Sequence, residues 1–157
     1  MKHALDLAAR LGGWQLAGSW THSGDVANVD FINLAQFDEL QVIIQEVTSS
    51  GSSRRTLRVS STNGVTFHAT SGDYVGTDAN GVPSNTTSLP FHTTNATAGR
   101  SGTMIISGLR LTTLKPITML TRGLSAWFTL AVTVNAIRIL MEDGSNLTGG
   151  SIYVFGR

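Results

Sequence analysis

From residue 14 onward the chain alternates apolar and polar side chains with a period of two, and it breaks every few residues at Gly, Ser, Asn or Asp. A period of two sends successive side chains to opposite faces of an extended strand, and short runs of this kind between turn residues are the pattern of an antiparallel β protein. The closing segment carries it most clearly. Ile137, Ile139 and Met141 alternate with Arg138, Leu140 and Glu142, and Ile152 and Val154 alternate with Tyr153 and Phe155. The connection over residues 143–150 is rich in residues that tolerate positive φ, so residues 136–157 are predicted to form a β-hairpin. A lone hairpin is marginal in water, so this one should lie among other strands and place the end of the chain in the core.

The same pattern predicts strands over 14–19, 26–32, 40–47, 56–60, 102–107, 117–120 and 127–134, with Leu40, Val42 and Ile44 facing inward. Thr62-Asn63-Gly64 is a hairpin signal before a strand at 65–67. Residues 71–100 are dominated by Gly, Asn, Thr, Ser and Asp, and they read as one long outward loop with a short strand over 89–92. Loops of this length carry binding functions more often than strands do, which makes Asp73, Tyr74, Asp78, Asn80 and His92 the candidate contact residues. The expected fold is all-β, an antiparallel β-sandwich or jelly roll of about nine strands.

Before it, residues 1–11 place Ala4, Leu5, Ala8 and Leu11 on one stripe of a helix, with Lys2, Asp6 and Arg10 spaced for i,i+4 pairing and Gly12-Gly13 as the stop. The domain boundaries are therefore a helical arm over 1–13 and a sandwich over 14–157. A helix this short is marginal alone, so its stripe must dock on its own domain, a sister subunit or a larger partner. Leu5, Ala8, Leu11 and Trp14 are the candidate attachment residues.

At 157 residues the chain is of single-domain size and buries roughly 70% of its unfolded surface without a staple. It has no cysteine, which removes disulfides and thiolate zinc sites. Charged residues make up 13%, and the formal net charge is +1. Neutralising phosphates takes clustered Lys and Arg, so nucleic acid is an unfavourable partner. Asp6 and Arg10 interrupt any signal-peptide core, and the apolar run 126–134 falls short of the roughly 20 residues a spanning helix needs, so a soluble chain with no membrane insertion is expected.

Reaction chemistry finds little support. His3, His22, His68 and His92 have no metal-ligand spacing, and there is no GxSxG elbow to single out a serine. Asp73, Asp78, Glu142 and Asp143 show no pairing that would mark a glycosidase. Asp78-Ala79-Asn80-Gly81 opens like a calcium loop but lacks its later carboxylates, and it reads as a turn. Asn85, Asn95 and Asn146 begin glycosylation sequons that follow from a Thr-rich composition, and Trp14, Trp20 and Trp127 read as core residues. The expectation is a non-enzyme with no catalytic residue, metal or cofactor.

The strand Ile137-Arg138-Ile139-Leu140, a Gly/Ser/Asn connection and the closing Gly150-Ser151-Ile152-Tyr153-Val154-Phe155-Gly156-Arg157 resemble the ending of small structural proteins of tailed bacteriophages, of the head-decoration, head-fibre and tail-fibre types. Val29-Asp30-Phe31-Ile32-Asn33-Leu34, the segment 38–44, and 59–67 followed by Asp73-Tyr74 are similar to what precedes that ending. The resemblance implies a β-sandwich that assembles on the virion in the bacterial cytoplasm, often as a homotrimer, with no catalytic residues. The sandwich is nearly the whole chain, with no heptad or collagen-like shaft before it. That favours a capsid decoration or cement protein, bound to capsid or tail proteins. The alternative is a tail-fibre or baseplate module that recognises host polysaccharide through residues 71–100.

Overall fold

The computed structural model describes residues 13–77, 83–91, 97–120 and 124–157, and these form two packed antiparallel sheets, a β-sandwich. The strands in chain order are β1 (Gln15–Thr21), β2 (Asn28–Phe31), β3 (Glu39–Ser49), β4 (Arg55–Ser60), β5 (Tyr74–Thr77), β6 (Pro83–Thr86), β7 (Leu89–Pro90), β8 (Arg100–Ser107), β9 (Lys115–Met119), β10 (Leu124–Phe128), β11 (Ala136–Met141) and β12 (Leu147–Gly156). The larger sheet has eight strands in the order β1-β12-β3-β8-β9-β10-β5-β6, and the smaller has four in the order β2-β11-β4-β7. Residues 1–12, and with them the expected helix and its Leu5, Ala8 and Leu11, lie outside the described residues.

The core is the set of inward positions that the alternation marks. From the large sheet come Leu40, Val42 and Ile44 of β3, Met104 and Ile106 of β8, and Ile152 and Val154 of β12. From the small sheet come Val29 and Phe31, Leu57 and Val59, and Ile137 and Ile139. All are buried, and each such side chain contributes about 1.5–3 kcal/mol through removal from water. β12 lies between β1 and β3, so the end of the chain is interior to a sheet, as expected.

The hairpin predicted over 136–157 does not form. β11 belongs to the small sheet and β12 to the large one, so the connection is an arch across the sandwich. Alternation fixes which side chains face inward, but it is the same whichever sheet a strand joins. The β3–β4 connection also crosses between the sheets, and the two crossings are bonded to each other. Ser50 N–H donates to the Asn146 carbonyl at 3.0 Å, and Asn146 N–H donates to Ser50 Oγ at 3.0 Å. Arg54 grips both carboxylate oxygens of Glu142, at 2.8 Å from Nε and 2.5 Å from Nη2.

Three further expectations are corrected. Residues 62–64 do turn, with Asn63 and Gly64 at φ 53° and 87°, but no strand follows at 65–67. The Ser60 hydroxyl accepts from Thr62 and Gly64 N–H and the Thr62 hydroxyl accepts from Thr66 N–H, so side chains take the backbone donors a ladder would have used. Residues 71–100 are not one long loop: besides the short strand expected over 89–92, present as β7, they supply β5, β6 and the start of β8, and the described residues form twelve strands where about nine were expected. The strand expected over 127–134 ends at Phe128, where Thr129 bonds the carbonyls of Gly72 and Asp73 and the chain leaves the sheet.

Gly156 packs against the Phe37 ring so closely that an added Cβ would sit 2.4 Å from it, whereas an added Cβ at Gly24 meets nothing. Gly156→Ala is expected to destabilise by about 1–3 kcal/mol. Gly24→Ala should stay within about 0.5 kcal/mol. Paired denaturant melts measure the contrast.

Candidate functional site

The two outward faces of the sandwich differ in chemistry. On the small sheet, cross-strand register places Asp30 of β2, Arg138 of β11 and Arg58 of β4 in one row. Arg138 holds both carboxylate oxygens of Asp30 at 2.7 Å, a bidentate pair that raises its pKa, and its guanidinium carbon lies 4.1 Å from the centre of the Phe67 ring. This face is charged.

The outward face of the large sheet is not. One row runs Leu16, Phe155, Gln41, Ile105, Thr118 and Ser125 across β1, β12, β3, β8, β9 and β10. A neighbouring row holds Ser19, Tyr153, Ile43 and Thr103, and another holds Pro116, Trp127, Val75 and Asn85. None of these residues is charged; charge borders the rows at Glu39, which pairs with Arg157 at one end, and at Glu46, which accepts from the Ser101 hydroxyl at the other. Leu16 is 53% exposed and Trp127 38%, while Phe155, Ile43 and Ile105 are half-buried on the same surface. A contiguous surface depleted of charge and holding Tyr, Phe and Trp has the composition of the centre of a protein interface.

Sequence reasoning missed this face, although a signal was present. In β3, β8 and β12 the apolar residues occupy both phases of the alternation: Ile43 beside Val42 and Ile44, Ile105 beside Met104 and Ile106, Tyr153 and Phe155 beside Ile152 and Val154. Strands that are apolar on both phases are the kind that become covered on both faces.

The candidate loop residues behave differently from expectation. Asp73 is buried and accepts from the Thr70 N–H at 2.8 Å. Tyr74 is fully buried; its hydroxyl accepts from the Val59 N–H at 2.8 Å and donates to the His68 carbonyl at 3.0 Å, and burial pushes the phenol well above its usual pKa. Tyr74 ties the large sheet to the small one and Asp73 closes a local turn, so neither is an outward contact. Asp78, Asn80 and His92 lie outside the described residues. His68 Nε2 lies 3.1 Å from Ser61 Oγ and its ring packs on Phe128, so His68 and Asp73 serve different structural partners. Trp14 is half-buried at the margin of the large sheet, with the Arg157 guanidinium 4.7 Å from its ring centre.

Among the described residues two cations are fully buried. Lys115 donates to the carbonyls of Leu111 at 2.8 Å and Thr113 at 3.0 Å, and burial lowers its pKa. Arg55, which reads in the sequence as part of a Ser-rich turn, donates to the carbonyls of Thr97 and Ala98; burial, and then the nearby charge of Arg100, lower its pKa. Both brace loops by bonding main-chain oxygens. Among the described residues no group of three or more His, Asp or Glu is placed to hold a metal ion.

No protein-family model and no curated protein matches the chain. Its fold is similar to that of galectin LEC-6 from Caenorhabditis elegans, at 14% identity over 87% of this chain and 94% of that one with a TM-score of 0.41. It is also similar to a single mutant of congerin II (11% identity, 81% and 98% covered, TM-score 0.41) and to an alginate lyase from Alteromonas sp. 272 (9% identity, 96% and 95% covered, TM-score 0.36). At these identities and scores the neighbours carry no argument about activity or ligand.

Tyr74→Phe should lower stability by about 1–3 kcal/mol, because it strands the Val59 N–H and the His68 carbonyl inside the sandwich. Thermal unfolding of the variant measures it.

Proposed function

We propose that the chain is a structural module of a tailed-bacteriophage particle and that it packs against a neighbouring virion protein through the uncharged outward face of its eight-stranded sheet. The observation that carries the proposal is that β12, β3 and β8, three adjacent strands, are apolar on both phases, while the outward rows across the sheet hold no charged residue and the Asp30–Arg138 pair lies on the small sheet. Covering such a face removes apolar area from water at about 25 cal/mol per Å² and desolvates no charge. The resemblance of the segments 29–44, 59–67 and 137–157 to phage head and tail proteins supplies the kind of partner, and a shell or baseplate lattice supplies the high local concentration that makes one such face sufficient. Residues 1–12, which lead into β1 at the edge of the same sheet, are the proposed attachment arm.

The test is immunogold electron microscopy of intact virions with antibody against this domain, combined with particle sedimentation. Label over the head would locate the module as a decoration protein, label at the tail tip as a tail or baseplate module, and absence from purified particles would overturn the proposal. Ile105→Glu with Trp127→Glu should lower the particle-bound fraction by about tenfold or more, equivalent to about 1.4 kcal/mol or more, while the purified chain keeps its circular dichroism spectrum. Full binding by that double variant would remove the sheet face from the interface.

A further inference from the structure

A sandwich has four sheet edges, and proteins blunt them with shortness, charge, proline or bulges. Three of the four edges are blunted in this way. β2 is four residues long and carries Asp30, β7 is two residues long, and β6 is four residues long and opens with Pro83. The fourth is β1, seven residues with the sequence Gln-Leu-Ala-Gly-Ser-Trp-Thr, which contains neither charge nor proline. A bulge between Leu16 and Gly18 blunts its first half and leaves Gly18, Ser19, Trp20 and Thr21 regular. Among the described residues nothing pairs with its outer side.

The direction of the open backbone groups follows from one hydrogen bond. His22 N–H donates to the Gly150 carbonyl at 3.0 Å, so His22 points at the neighbouring chain segment. In an antiparallel ladder residues alternate in this respect, which turns Trp20 and Gly18 toward β12 and turns Ser19 and Thr21 toward the open edge. Thr21 and Ser151 are opposite each other with their hydroxyls 3.2 Å apart, as the closer, non-hydrogen-bonded pair type allows.

We infer that β1 is a strand-addition site for the β1 strand of a second copy of this chain, joined antiparallel about a two-fold axis at Ser19. Such a register is self-complementary. Ser19 faces Ser19 of the second copy as a hydrogen-bonded pair, and each Trp20 lies across from a Gly18, on which the Phe31 ring of that copy packs. With no charged side chain on the strand, like charges never meet across the axis. The pairing joins two eight-stranded sheets edge to edge and makes their uncharged faces continuous. It is independent of the proposed function, because it concerns the purified chain alone.

The chain lacks cysteine, so Ser19→Cys introduces a single thiol. Opposed hydrogen-bonded residues have Cα atoms about 5.5 Å apart, within the disulfide range. Air-oxidised Ser19→Cys is expected to run as a covalent dimer in near-stoichiometric yield on a non-reducing gel with an unchanged circular dichroism spectrum. Thr112→Cys, on an exposed loop, should remain monomeric. Ser19→Lys places two ammonium groups at the axis and should return the sedimentation mass from twice 16.7 kDa to 16.7 kDa without changing the spectrum. A wild-type chain that stays monomeric up to about 1 mM, the concentration that reads a Kd of that order, would overturn the inference. So would a trimer, or an oligomer in which Ser19→Cys fails to cross-link.

Discussion

The fold depends on a chain that keeps changing sheets. Of the connections between successive strands, only β5–β6, β8–β9 and β9–β10 stay within one sheet, and every other one crosses the core. Each crossing leaves main-chain donors and acceptors at the rim of the sandwich that no ladder satisfies, and each must find a partner. The paired arches at 50–54 and 142–146 meet this need by bonding one another: backbone to backbone, serine hydroxyl to amide, and guanidinium to carboxylate. The same logic accounts for the buried cations. Lys115 and Arg55 place charge where apolar side chains would pack more cheaply, but each donates to two carbonyls of an irregular segment.

Charge is scarce in this chain, and where it goes decides what each surface can do. Asp30, Arg138 and Arg58 occupy the small sheet, Glu39 and Arg157 one end, and Arg54 and Glu142 the arches. Bidentate and stacked arginines in these places tie neighbouring strands together, and the centre of the large sheet is left with hydroxyls, amides and aromatic rings. A surface of that kind loses little on desolvation, so it favours burial against a matched surface over steering of a charged ligand.

Much of this was legible in the sequence, and the boundary has a physical cause. Alternation located β3, β4, β8 and β11 to within a residue or two and placed Leu40, Val42 and Ile44 inward, because burial of one strand face is a local property. Sheet membership is not local: Ile137 and Ile152 carry the same pattern, yet one packs from the small sheet and the other from the large. β5 and β6 escaped notice because their sequences, Tyr-Val-Gly-Thr and Pro-Ser-Asn-Thr, are short and give too few residues for an alternation to show, β6 being an edge strand and polar as edge strands are. The same composition made Asp73 and Tyr74 read as solvent-facing, when the Tyr74 hydroxyl in fact closes a bond to the opposite sheet. The uncharged outer face is spread over eight strands, so no single stretch of sequence displays it.

The order of strands in the large sheet also has a temporal consequence. β1 has a single neighbour, β12, and β12 in turn is one of the two neighbours of β3. β1 therefore waits for β12, and until residues 147–156 are made both β1 and one side of β3 lack that partner strand. The β1–β12 ladder requires loop closure over nearly the entire described chain, and before it forms those edges are open to other chains. The arrival of β12, more than any local event along the chain, is what completes the larger sheet.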